Sequence, residues 1–145
     1  MVQESRRLFK ERTMKTTPRV GREHEKIWKV DASKSIDLAP DKLPAVLATP
    51  WLIWFLEVTS LELVQPQLDD DELSVGVAVE VEHLAPTLVG EEVTCRARLV
   101  HADGPLLSFH VEARDRHELI ARGLHKRRVV AIEKLAARVQ RKSNP

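Results

Sequence analysis

Glu57 and His83 are the side chains of this 145-residue chain whose surroundings best suit acid–base chemistry. Glu57 stands within ATPWLIWFLEVTSLELV (48–64), among Trp51, Leu52, Ile53, Trp54, Phe55, Leu56, Val58, Leu61 and Leu63. A carboxylate there must be paired, protonated or used, because burying an unpaired charge is costly. His83 closes a run in which Leu73, Val75, Val77, Val79 and Val81 alternate with small or acidic residues. A regular strand would therefore turn its imidazole to the side that holds Glu57. Titratable groups forced together out of water gather at functional sites, so the two read as a candidate acid–base pair. The competing reading is structural: a core acid satisfied by a lysine or by backbone, and a core histidine. Cys95 has the parity of a buried strand face and no base nearby in sequence, so it reads as packing. There is no CxxC or HExxH spacing, and no metal or cofactor is expected.

The element that must carry Glu57 is a helix. Thr49 suits the N-cap, Pro50 the first helical position and Pro66 the stop. Apolar residues on every side predict a buried helix. At about 1.5 Å per residue the segment reaches only about 24 Å, and with two glutamates it reads as a core helix rather than a membrane span.

A helix of this kind needs a sheet around it, and the remaining chain supplies strands. Glu23–Val30 is a candidate, with Trp28 and Val30 on one face; Pro40 and Pro44 make 36–47 an irregular entry. After the acidic turn at 69–72 come the strand ending at His83, then alternations at Val93–Leu99, Leu107–Ala113 and Leu119–Val130. Gly123 within the last marks a bulge or a close backbone approach, and Gly76 either admits a close neighbour or relieves packing. Ile132–Arg141 reads as a short basic helix. The expected class is α+β, with about five antiparallel strands and one long helix.

One domain, residues 16–145, is expected behind a polar, basic tail at 1–15; Met14 precedes a sensible alternative start. The formal charge of +1 conceals basic ends: residues 1–22 carry seven basic and two acidic side chains, and residues 126–145 carry seven and one. Such ends are either solvated termini or partners of phosphate. His125, Arg127 and their basic neighbours near the end of the last strand stand under the same two readings, a solvated strand end or contacts to a phosphate-bearing ligand. His24, His101, His110 and His117 read as surface residues. A lone cysteine and the absence of an apolar leader point to the cytoplasm.

The segments ATPWLIWFLE, VEHLAPTLVGEEV, GPLLSFHVEARD and IARGLHKRRVV resemble the hotdog-fold acyl-CoA thioesterases, in the branch similar to fluoroacetyl-CoA thioesterase, over roughly residues 16–135. The resemblance implies a sheet curled round the helix, a homodimer or higher oligomer with sites at its interface, and a groove for coenzyme A. It implies Thr49, Glu57 and His83 as catalytic residues. Gly76, His125 and Arg127 are then candidates for substrate contact. The expected activity is hydrolysis of a small acyl-CoA to acid and coenzyme A, with no nucleic-acid or membrane partner. A non-catalytic acyl-CoA sensor is the alternative. Thr49 and Glu57 stand eight residues apart, about 12 Å of rise and about 80° of rotation, which makes it hard for them to grip one carbonyl together; a dimer in which the helix start of one subunit meets Glu57 of the other resolves this.

Overall fold

Period-two alternation gathers the long strands of the second half into one sheet, and the helix expected at 48–64 packs across its inner face. The structure, a computed structural model, describes residue 14 and residues 18–144. Apart from Met14, which packs against the core, the tail expected at 1–15 lies outside the described residues. The chain runs β1 (Glu23–Lys29), β2 (Ser35–Ile36), β3 (Val46–Leu47), α1 (Thr49–Val64), β4 (Glu72–His83), β5 (Glu92–Asp103), β6 (Leu106–Arg114), β7 (Leu119–Ala131) and α2 (Ile132–Ser143). The main sheet has the spatial order β1-β5-β6-β7-β4 and is antiparallel throughout, while β2 and β3 form a separate ribbon just before α1.

The core forms where β5 and β6 present their alternate residues to α1. Val93, Cys95, Ala97 and Leu99, with Leu107, Phe109, Val111 and Ala113, are fully buried, as are Leu52, Phe55 and Leu56 on the helix. Each large side chain buried in this way stabilises the fold by about 1.5–3 kcal/mol. Thr59 and Ser60, also buried, donate to the carbonyls of Phe55 and Leu56 one turn earlier, so the helix carries them without an unpaired hydroxyl. Burial raises the Cys95 thiol to about 12, which makes it an inert packing group.

The single sheet covers one side of α1, not all of it. Trp51, Ile53, Val58 and Leu61 are only half-buried and Trp54 is 43 % exposed. Apolar patterning all round the helix therefore leaves one apolar side that this chain's own sheet does not cover.

β4 departs from simple alternation. Its pairing with β7 shifts register between Gly76 and Ala78, and the bulge reverses which parity faces inward. Before it, Ser74 and Gly76 stand opposite Val129 and Arg127 on the inner face; after it, Val79 and Val81 stand opposite His125 and Gly123. The expectation that Leu73 and Val75 share the face of His83 is thus corrected: they lie on the outer face, and the extra residue brings His83 inward. Gly123 is a close approach rather than a bulge, since a Cβ there would meet the Glu80 carbonyl oxygen at 2.1 Å.

Candidate active site

Thr49 is the first residue of α1 and not its cap. Ala48 occupies the N-cap in an extended conformation with no side-chain bond to the helix, which leaves the Thr49 hydroxyl free to bond elsewhere. Thr49 Oγ1 lies 2.7 Å from His83 Nδ1, so the helix start and the end of β4 are joined through their side chains. His83 Nε2 is buried and has no hydrogen-bond partner among the described residues. Burial lowers the imidazole's pKa from its ordinary value, so the ring is neutral at pH 7. A neutral ring held at Nδ1 and unpartnered at Nε2 can accept or deliver a proton there, and buried polar atoms left unpaired are uncommon away from functional sites.

Glu57 belongs to a second group, two turns further along α1. Arg127 Nη1 reaches Glu57 Oε1 at 3.3 Å; the arginine side chain is 2 % exposed and the glutamate's 41 %. Arg127 is held from the other side by Ser74, with Nε donating to the hydroxyl at 2.9 Å and Nη2 to the carbonyl at 2.8 Å. Its Nη1 also lies 3.2 Å from His125 Nε2. A guanidinium only donates, so His125 Nε2 accepts, and its Nδ1–H donates to the Ala78 carbonyl at 2.9 Å. Burial lowers the His125 pKa and the adjacent Arg127 charge adds to this, which agrees with a neutral ring. Burial likewise draws the Arg127 pKa below its ordinary value while Glu57 opposes the shift.

Gly76 completes this group by what it lacks. A Cβ there would come within 3.1 Å of Glu57 Oε1 and 3.3 Å of His125 Cε1, so the glycine makes room for the carboxylate. The six residues singled out in the sequence thus fall into two sets: Thr49 with His83, and Glu57 with Gly76, His125 and Arg127. Glu57 and His83 are not paired within the chain. From Gly76, beside Glu57, to His83 is seven residues along β4, roughly 20 Å at the rise of a strand.

Arg127 was expected at a solvated strand end or against phosphate; instead its guanidinium is consumed inside the protein. Ser74 escaped notice, because alternation alone gives it the outward parity that the bulge reverses. Gly76 opposite Arg127 across one strand pair is the signal that leads to it. Among the described residues no three His, Cys, Asp or Glu side chains converge as a metal site would require, and no helix is long and apolar enough to cross a membrane.

The model of the family described as fluoroacetyl-CoA-specific thioesterase matches residues 30–133. Over 102 residues the chain is 35 % identical to the fluoroacetyl-CoA thioesterase of Streptantibioticus cattleyicolor, an overlap of 70 % of this chain and 73 % of that protein. A solved structure of fluoroacetyl-CoA thioesterase superposes with a TM-score of 0.81 at 32 % identity, covering 88 % of this chain and 98 % of that one. A thioesterase-superfamily protein of Thermus thermophilus superposes at 0.80 with 25 % identity, covering 88 % and 94 %.

Proposed function

The chain belongs to the fluoroacetyl-CoA-specific thioesterase family, and from that premise we propose that it hydrolyses a small acyl-CoA to the free acid and coenzyme A at a site shared between two copies. The observation that carries the reading is Glu57: a carboxylate at the centre of an apolar helix, fixed by a buried arginine yet open over 41 % of its side chain. A purely structural acid would be closed over by its partner. This one is held at one oxygen and presented to whatever lies beside the helix.

The two half-sites lie about 12 Å apart along α1 and roughly 20 Å apart along β4, too far for one thioester carbonyl to engage both within a chain. β4 is an edge strand, and antiparallel pairing with a second β4 brings the His83 end of one copy toward the Gly76 region of the other. The thioester carbonyl then sits at the start of one α1, where the helix dipole and the Thr49 hydroxyl stabilise the developing oxyanion. Glu57 of the other copy either attacks the carbonyl carbon or takes a proton from the attacking water. His83, whose Nδ1–H donates to the Thr49 oxygen, accepts a proton at Nε2 from water and passes it to the departing thiolate, which returns the ring to its neutral form. Arg127 and His125 do not touch substrate in this scheme; they fix Glu57, and Gly76 gives it space. No cofactor takes part. The buried free thiol of Cys95 suits a reducing compartment, and we place the protein in the cytoplasm.

Thiol release from a panel of short acyl-CoAs tests the activity, with Glu57→Gln as control. Turnover lost in the variant supports the scheme. Tight acyl-CoA binding with no thiol release from any member would mark a sensor instead.

A further inference from the structure

α2 is a helix with little to hold it within its own chain. It has no buried residue, and Ile132 and Val139 on its apolar side are 41 % and 59 % exposed. That side, with Leu135 and Ala136, faces Leu73 on the outer face of β4 across an open groove of about 450 Å³. Arg138 and Lys142, four residues apart, line one flank of the apolar side, and neither forms an ion pair among the described residues. An apolar helix face left over a groove of this size costs stability unless something fills it.

The matching surface lies at the other end of β4. Past the bulge, the outer-face residues are Glu80, Glu82 and Leu84; the glutamates are exposed without an ion-pair partner among the described residues, and Leu84 is 44 % exposed. Arg122 stands opposite Glu82 on β7 and forms no ion pair among the described residues. Of the two sheet edges, β1 is short and largely charged, with Glu23, His24, Glu25, Lys26 and Lys29 in seven residues, a composition that discourages strand addition. β4 is 12 residues long and exposes Val77 and Val79 at 47 % each. Antiparallel pairing of two β4 edges sets the end of one strand beside the start of the other, on the same outer face as α2.

We propose that the groove beneath α2 seats the end of a second copy's β4, with the partner subunit's Leu84 entering between Leu73 and the helix and the partner subunit's Glu80 and Glu82 meeting the Arg138–Lys142 flank. α2 is then a clasp that closes the dimer from the outer face, while the half-sites meet on the inner face. The inference rests on the dimeric reading above and adds to it the element that holds the two copies together.

Sedimentation of the full chain, of a chain ending at Ala131, and of Leu84→Asp tests it. The clasp predicts a dimer dissociation constant raised roughly tenfold or more in both variants, the scale on which loss of a central apolar anchor is felt. Glu80→Lys with Glu82→Lys should weaken the dimer, and Arg138→Glu with Lys142→Glu should restore it. A truncated chain that dimerises as tightly as the full chain overturns the clasp and leaves the shared site intact. A full chain that is monomeric at every concentration overturns the dimer itself. Binding of the full chain to anionic phosphatidylserine vesicles that the truncated chain loses, with dimerisation unchanged, would make α2 a membrane-facing helix and overturn the proposal.

Discussion

Thr49 and His83 lie 34 residues apart in sequence and 2.7 Å apart in space, a contact that uses a hydroxyl the helix does not need as a cap. Replacing Thr49 by Val keeps the branched shape and removes the bond to Nδ1. The imidazole then loses its alignment while α1 keeps its own start. Turnover should fall while Tm changes by no more than about 2–4 °C, since the lost bond is exposed and worth about 1 kcal/mol or less. Steady-state assay and calorimetry on the same preparation check this. An unchanged kcat would leave the contact structural.

Glu57→Gln separates the acid from its scaffold. The amide oxygen can still accept from Arg127 Nη1, so the buried guanidinium keeps a partner and the fold is retained. The carboxylate's chemistry is lost, and kcat should drop on the order of a hundredfold or more, the range for a removed acid–base group. Arg127→Met has the opposite signature. It strips the donor from Ser74 and His125, and at about 1–3 kcal/mol for buried polar groups left unpaired it should lower stability clearly as well as activity.

The sequence disclosed Glu57 because an acid inside a run of tryptophans, leucines and isoleucines is conspicuous at any resolution of reasoning. It disclosed His83 only by a coincidence of parity. Regular alternation from Leu73 would place His83 with the valines, and it does face inward, yet Leu73 and Val75 do not, because one residue near Val77 is added to the ladder. A bulge leaves no sure mark in composition, so Ser74 and the inner position of Arg127 were hidden with it. The partnering of Glu57 with Arg127, 70 residues away, is a matter of cross-strand register, which patterning on either segment cannot specify. The helix and the strands were legible because their periods repeat many times; the caps, bulge and pairings rest on single residues.

Two glycines on facing strands should respond differently to the same methyl group. At Gly76 the new Cβ meets the end of a flexible carboxylate at 3.1 Å and the edge of the His125 ring at 3.3 Å, so Gly76→Ala should cost clearly less stability than Gly123→Ala and reduce kcat by displacing Glu57. At Gly123 it meets the Glu80 carbonyl oxygen at 2.1 Å and Val81 Cα at 2.7 Å, both main chain. The ladder between β4 and β7 must part, and a loss of about 1–3 kcal/mol is expected. Equal destabilisation by both substitutions would contradict the assignment of Gly76 to the site.

The buried histidines set a direction for pH dependence. Burial lowers His83 and His125 below the 6.5 of an exposed imidazole, so the unfolded chain takes up protons first as the medium is acidified. The stability gained from keeping them neutral is complete above pH 6.5 and is lost as pH falls from there through the folded values. Wild type should therefore lose Tm across that window more steeply than His83→Gln, whose side chain does not titrate. The comparison isolates His83 from Glu72, whose carboxyl is raised by burial and contributes with the opposite sign. Parallel Tm profiles for the two proteins would contradict a buried, neutral His83.

Division of the site between two chains makes a prediction that no single-chain arrangement shares. If Thr49 and His83 of one copy act with Glu57 of the other, a heterodimer of Thr49→Ala and Glu57→Gln chains contains one wholly wild-type site and one doubly damaged site. A heterodimer of His83→Ala and Glu57→Gln chains does the same. Both should recover up to about half of the wild-type turnover per dimer, because separated sites act independently. Thr49→Ala mixed with His83→Ala should recover nothing, since the two residues are bonded within one chain and every site then carries a defect. The measurement is turnover of purified heterodimers carrying two different affinity tags. Failure of the first two mixtures would show that Glu57 works with the Thr49 and His83 of its own chain, and rescue in the third would show that Thr49 and His83 act from different chains.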